Sequence, residues 1–272
     1  MARTTKKRAK QLKHDKFRDT TLDAYERLSH RFEGRGRTIL YVAGAAVVLV
    51  ILAVAFSWWR ASRADAANLA LSKAIEIAEA PVTTATPQPG DTGPTFSNEQ
   101  ERARRAVEEF QKIQHDYGSP YSDIARYFAA ANLLTIDRGK GLSELEAVSR
   151  SGNDDLAARA KFALAGAREA GGEYDAAAKH YQELLNDKDK SVSENTLKLR
   201  LASVYEKQGK KDEAVNLLFG MVEAVRKAQG KDAKPQPESA VVHAAADKLQ
   251  ELSPERFAQL PKEPVAGNSL PF

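Results

Sequence analysis

The amino-acid sequence predicts an all-α chain, with one transmembrane helix followed by a helical solenoid. Three observations carry that prediction. Residues 38–59 (TILYVAGAAVVLVILAVAFSWW) hold no charged side chain. From Glu99 to about Leu252 apolar residues, mostly alanine, recur at helical spacing, and β-branched runs are missing. The turns between these stretches carry Gly, Asn or Asp, which suits paired antiparallel helices.

The apolar run is long enough to span a bilayer. At about 1.5 Å per residue it reaches roughly 33 Å, slightly more than a hydrocarbon core of about 30 Å. Inside lipid every backbone N–H and C=O needs a partner within the segment, so a helix is the single-segment solution. Residues 1–37 carry 12 Lys and Arg against 5 Asp and Glu, while the whole chain has a net charge of only +4. Basic flanks stay in the cytoplasm, so the N-terminus is expected inside and residues 60–272 outside. Trp58, Trp59 and Arg60 suit the outer interface, and Tyr41 lies near the inner one. Ala53-Val54-Ala55 matches a small-x-small cleavage site. The length of the run, the extended tail before it and the tryptophans after it favour an uncleaved signal anchor.

The basic tail (1–37) begins with a polar stretch. Phe17, Leu22, Tyr25, Leu28 and Phe32 then follow near helical spacing, compatible with a short amphipathic helix at the inner face or with incidental apolar residues. Beyond the span, 60–98 reads as a helical stalk and a Pro-rich loop. Leu69, Ala70, Ala74, Ile77 and Ala78 mark one face of the helix at 64–80, and Pro81 ends it. Whether that helix packs on the repeats or stands alone is left open. Helices follow at about 99–117, 121–137, 142–151, 154–170, 173–186, 192–208, 211–229 and 238–252. The last of these is expected to cap the solenoid. A proline-rich tail, 253–272, closes the chain.

Within 99–252 a period emerges. Gly139, Gly172 and Gly209 stand 33 and 37 residues apart. Gly172 is followed by Tyr174, Ala177, Tyr181 and Leu184, and Gly209 by Ala214, Leu218 and Met221. Glycine permits a sharp interhelical turn, the small alanine lets two helices approach, and the large residues fill the space between them. Ala106, Phe110 and Ile113 form an earlier half-repeat. This spacing resembles the tetratricopeptide repeat, with about three repeats. Lys161 and Lys198 fall where that family places a large aromatic. The layout of basic tail, span ending in SWWR, Ala-rich helix and outer repeats resembles the ancillary subunit of the bacterial Sec translocon. That resemblance implies a bacterial inner-membrane protein whose exported domain works with periplasmic chaperones or newly translocated chains. The segment HDYGSPYSDIARYFAAANLL also resembles repeats of outer-membrane assembly lipoproteins and of the Tol-Pal coordinator. The first would need a lipidated cysteine, which this chain lacks, and the second a cleaved signal.

Composition excludes several chemistries. With no cysteine there are no disulfides, no thiolate metal sites and no lipidated N-terminus. The five histidines, His14, His30, His115, His180 and His243, are scattered, and no HExxH occurs. GKGLSE at 139–144 lacks the spacing of a phosphate loop and reads as a helix–helix turn. Asp154 and Asp155 read as helix-capping carboxylates. No catalytic residue, cofactor or metal is therefore expected, and the chain reads as a non-enzymatic scaffold for proteins. The partner groove of such a solenoid lies on the first helix of each pair, which points to Tyr127, Arg159, Phe162, Lys198 and Glu206. Lys6, Lys7, Arg8, Lys10 and Lys13 could contact anionic lipid at roughly 1 kcal/mol per basic residue. The tail lacks the interleaved aromatics of a nucleic-acid platform. An envelope-assembly or cell-division coordinator is the alternative function.

Overall fold

The computed structural model describes residues 36–83, 93–187, 191–229 and 238–263. The basic tail with its stretch at 17–32, the middle of the Pro-rich loop and the end of the C-terminal tail lie outside the described residues. The helices are α1 (Gly36–Glu79), α2 (Glu99–Asp116), α3 (Tyr121–Ile136), α4 (Arg138–Ser149), α5 (Asp154–Ala170), α6 (Tyr174–Asn186), α7 (Glu194–Lys207), α8 (Lys211–Gln229), α9 (Ala240–Leu252) and the single turn α10 (Pro254–Phe257). Among the described residues β-pairing is limited to an isolated bridge between Val82 and Phe96. The chain divides into two compact units, Met1–Asp65 and Ala66–Phe272.

The described part of the first unit is helical. Every residue from Leu40 to Arg63 is exposed, and α1 is long and apolar enough to cross a membrane. A core helix of comparable apolarity would be buried, whereas 0% of the most apolar stretch of α1 is. Because an uninterrupted helix satisfies its own backbone, this surface needs no protein neighbour to sit in lipid. The helix does not stop where the apolar run does: α1 has 44 residues.

In the second unit the last turns of α1 pack. Ala67, Leu71 and Ala74 are buried, and Leu71 and Ala74 join one cluster with Ala106, Phe110, Ile113, Ala125 and Ala129. Of the expected face, Ala74 is buried and Ala70, Ile77 and Ala78 pack against the same cluster, while Leu69 is left 58% exposed. Phe110 stacks on Phe128 at 5.3 Å between ring centroids. After Pro81 the chain is tied at its base: Thr83 N–H donates to Phe96 C=O at 2.9 Å and Phe96 N–H to Pro81 C=O at 3.2 Å. Asn98 then caps α2, its side chain accepting from Glu101 N–H at 2.8 Å. That bond satisfies one of the four N–H groups a helix start leaves open.

One buried triplet recurs in α2, α4, α6 and α8. It is a small residue, a larger one four positions on and another three beyond that. The four copies are Ala106-Phe110-Ile113, Gly141-Leu145-Val148, Ala177-Tyr181-Leu184 and Ala214-Leu218-Met221, all buried. The small residues stand 35, 36 and 37 apart. Ala129, Ala165 and Ala202, also buried, lie twelve residues before the last three of them. In the last two pairs the two small residues share one cluster, Ala165 with Ala177 and Ala202 with Ala214, and a small residue on each second helix allows close approach. The pairs are the end of α1 with α2, α3 with α4, α5 with α6, and α7 with α8. That makes four pairs among the described residues, where the sequence suggests about three.

The reading of Gly139 as a turn glycine is corrected. Gly139 lies in the first turn of α4, which starts at Arg138 rather than at 142. The break is the single residue Asp137, which closes α3 and caps α4 by accepting from Lys140 N–H at 3.0 Å. The glycine with a packing role is Gly141, where an added Cβ would fall 2.7 Å from the Leu134 nitrogen of α3. At Gly172 and Gly209 the turns do need glycine, since both have φ +74°. Glu173 N–H reaches Arg168 C=O at 2.9 Å and Lys210 N–H reaches Tyr205 C=O at 2.8 Å, so both helices end in the same hydrogen-bonded wrap.

The cap of the solenoid is larger than a single helix. α9 buries Val242, Ala245, Ala246 and Leu249 against α8, and Phe257 and Leu260 pack on the same cluster. Arg226 of α8 forms a buried ion pair with Glu238 at 2.6 Å and donates to Pro261 C=O at 2.9 Å.

Candidate partner groove

The first helices of the pairs differ in how closely they meet. α3 packs on α5 and α7 on α9, but no comparable packing joins α5 to α7. A cleft of about 360 Å³ opens between them, lined by Phe162, Gly166, Glu169 and Ala170 of α5, Tyr174 and Tyr181 of α6, and Arg200 and Lys207 of α7. Phe162, Gly166, Glu169 and Ala170 share one face because they stand four, seven and eight residues along a helix of 3.6 per turn. The opposite face holds Leu164, and Ala165 borders the cleft face on its inner side, both fully buried.

The floor is aromatic and fixed. Tyr181 is 1% exposed and meets Phe162 edge-on, with centroids 5.9 Å apart. Its hydroxyl donates to Glu169 Oε2 at 3.0 Å. Burial, reinforced by the neighbouring Glu169 carboxylate, pushes the phenol far above its ordinary range, so it remains a neutral donor. Polar ties hold the walls. Arg138 of α4 and Arg168 of α5 both bind Glu173, Arg138 at 2.7 Å. Arg168 also reaches Glu146 of α4 at 3.2 Å. The Arg138 bond, with that of Arg168, lowers the Glu173 carboxyl below its usual value. Across the next pair, Gln182 donates to Tyr205 Oη at 2.7 Å and Gln208 to Asp175 at 2.6 Å.

The residues singled out from sequence distribute as follows. Phe162 lines the cleft. Tyr127 lies at the α3–α5 junction, half-buried, stacked edge-on against Phe128, with its hydroxyl pushed up by burial and partly offset by the Arg159 charge. Arg159 pairs with Asp155 of its own helix at 2.8 Å. Glu206 bridges α7 to Lys248 of α9 at 2.5 Å. Lys198 is placed away from the cleft: it pairs with Glu194 one turn back at 2.8 Å, and the cations at the cleft are Arg200 and Lys207. Ala106, Phe110, Ala177, Tyr181, Ala214 and Leu218 are buried, Tyr174 lines the cleft, and Gly172 and Gly209 form the turns. On α1, Tyr41, Trp58, Trp59 and Arg60 are exposed, and Trp59 lies 6.0 Å from Phe56. The α5 cap is Asn153, which accepts from Leu156 N–H at 3.1 Å, while Asp154 and Asp155 occupy the first turn.

Sequence reading passed over Gly166, Glu169, Ala170, Arg200 and Lys207. A signal for the α5 members existed: taking Leu164 as the packing residue fixes which side of α5 faces out. It also passed over a set in which Glu238, His243 and Glu263 come within 4.8 Å of one another. The buried carboxylate of that set, Glu238, is already held by the Arg226 guanidinium.

Comparison with known proteins agrees with this geometry over part of the chain. No curated protein matches it. A family model described as a tetratricopeptide repeat-like domain matches residues 137–235, from the cap of α4 through α8. Such domains serve typically as non-catalytic platforms for protein–protein interaction. Residues 137–235 are a tetratricopeptide repeat-like domain.

Proposed function

We propose that this chain is a membrane-tethered scaffold whose repeats hold a protein partner in the cleft between α5 and α7. The observation that carries the proposal is the cleft itself. It has a rigid aromatic floor and lies on the first-helix face of a repeat domain whose neighbouring junctions are packed shut. The exposed apolar length of α1 supports the tether, and the basic excess of residues 1–37 supports a cytoplasmic N-terminus with the repeats on the other side. Tethering raises the effective concentration of the groove near membrane-bound partners, so tight affinity is not needed. Together with the resemblance in layout, this favours action beside the Sec translocon, on translocated chains or the chaperones that receive them.

A photoreactive residue at position 162 of the full-length chain, activated in native membranes, tests the proposal. Adducts with translocon subunits, chaperones or emerging chains are expected. Adducts restricted to division or outer-membrane assembly proteins would overturn the translocon part, and absence of any protein adduct would overturn the scaffold. A reporter fused after Phe272 should be active only outside the cytoplasm. Activity inside would reverse the orientation.

A further inference from the structure

The apolar run of α1 ends in a collar of two tryptophans and two arginines, and spanning a bilayer does not by itself call for those arginines. Trp58 and Trp59 are 75% and 55% exposed, and Arg60 and Arg63 are exposed as well. Positive charges at this end oppose the orientation that the basic tail favours. Nor do they cap a helix C-terminus, because α1 continues to Glu79. Arg60 and Arg63 stand one turn apart on one face, where like charges repel. Asp65 is the one acid among residues 36–75, and at two positions from Arg63 it lies about 200° around the helix from it. Two arginines less one aspartate leave residues 58–65 with a net charge of +1. Side chains of a helix lean toward its N-terminus, which here is the side of the apolar run. The Arg63 guanidinium accordingly sits 5.9 Å from the centre of the Trp59 ring, within cation–π range. Its charge is thereby held at the level of the tryptophans, which in a spanning helix is the level of the lipid headgroups.

We infer that this collar binds the headgroup of an anionic phospholipid, with Arg60 and Arg63 holding its phosphate from one face of α1 and Trp59 lying against the start of its acyl chains. The inference rests on the membrane-tether reading above and adds a lipid class to it. A phosphate between the two guanidinium groups offsets their repulsion and accepts charge-assisted hydrogen bonds from both. A zwitterionic lipid offers the same phosphate but brings a cationic group that the arginines repel, so a net negative headgroup is preferred. With a collar charge of +1 the preference is modest, about threefold over a zwitterionic lipid, and it is screened by salt. The consequence is a fixed depth for the C-terminal end of the span.

Trp58 and Trp59 are the only tryptophans of the chain, so tryptophan emission reports on this collar alone. The full-length chain is reconstituted into phosphatidylcholine vesicles containing, at equal mole fraction, either phosphatidylglycerol or phosphatidylcholine with brominated acyl chains, which quench tryptophan on contact. Brominated phosphatidylglycerol should quench more, with a relative binding constant about threefold higher, and added salt should shrink the difference. Arg60→Gln combined with Arg63→Gln should make the two lipids equivalent. Both side chains are exposed, and retained helical circular dichroism confirms that the variant is folded. Lys6→Gln, Lys7→Gln and Arg8→Gln together, in the basic tail, should leave the preference in place. Equal quenching by the two lipids in the unaltered chain, a preference that survives the arginine replacements, or one abolished by the tail replacements would overturn the inference and leave the tether standing. Quenching by neither lipid would sink both.

Discussion

Gly141→Ala offers a direct check on how α4 is fitted to α3. A Cβ at this position would lie 2.7 Å from the Leu134 nitrogen and 3.0 Å from the Leu133 carbonyl carbon and the Leu134 Cα, where ordinary contact begins at 3.4 Å. All three atoms are backbone, so no side chain can swing aside and the two helices must part. Overpacking of this kind costs about 1–3 kcal/mol. The helix propensity of alanine over glycine returns at most about 1 kcal/mol. The net expectation is a loss of about 1–2 kcal/mol, or a fall in melting temperature of roughly 2–8 °C for a domain of this size. Gly220→Ala is the matched control. It is exposed in the interior of α8 with nothing within 4 Å of the added carbon, so only the propensity gain remains. It should rise by about 2–4 °C. Thermal melts followed at 222 nm on the full-length chain in detergent compare the two. If Gly141→Ala melts as high as Gly220→Ala, then Gly141 does not occupy the crossing point, and the four-fold triplet of the second helices fails with it.

Four further outcomes are expected. Gly172→Ala and Gly209→Ala force a side chain into a left-handed backbone, and each should lower stability in chemical denaturation by about 1–2 kcal/mol. Glu238→Ala leaves the buried Arg226 guanidinium without its carboxylate and should cost about 3–5 kcal/mol, whereas the double replacement Arg226→Met with Glu238→Met should recover most of that in the same titration. Because Arg138 and Arg168 hold the Glu173 carboxyl below its usual value, its contribution is complete above an unfolded pKa of about 4.5 and is lost as pH falls through the depressed folded value. Glu173→Gln should therefore flatten the acid side of the stability curve and leave no change in its slope above pH 6. Ala170→Leu should fill the cleft: it should raise or maintain the melting temperature while abolishing protein capture at position 162, and undiminished capture would contradict the placement of the groove.

The elements most legible in the sequence were those whose signal is local. An uncharged run of lipid-spanning length and helices with periodic alanines need no tertiary information to be seen. Gly172 and Gly209 were legible because each ends a strongly periodic stretch. Gly139 misled because glycine was taken as the mark of a turn, while the actual break is one aspartate that serves two helices at once. Once Asp137 is the break, Gly141 falls into register with Ala106, Ala177 and Ala214. The packing of the last turns of α1 was illegible for another reason. Its first-helix alanines are separated from Ala106 by the long Pro-rich insertion, so the twelve-residue spacing of the other pairs is lost.

The cleft shows how an open apolar surface can arise in a repeat by subtraction. Thirty-six residues before Glu169 and Ala170, α3 carries Leu133 and Leu134. Leu133 is buried and Leu134 packs in the cluster beneath α5, so the α3–α5 junction is filled by the chain itself. At the next junction the same two positions hold an acid and an alanine, with Gly166 a turn earlier, and α5 has too little side-chain volume to reach α7. The connection into α7 is also longer, spanning 187–193 where the one into α5 spans 150–153. The repeat thus retains the Tyr181 floor that every pair needs for its own packing and omits the residues that would cover it. Periodicity identifies a groove residue poorly for this reason. Lys198 and Phe162 both belong to first helices, yet only Phe162 borders a place where the repeat departs from its neighbours, and that departure leaves an apolar surface uncovered.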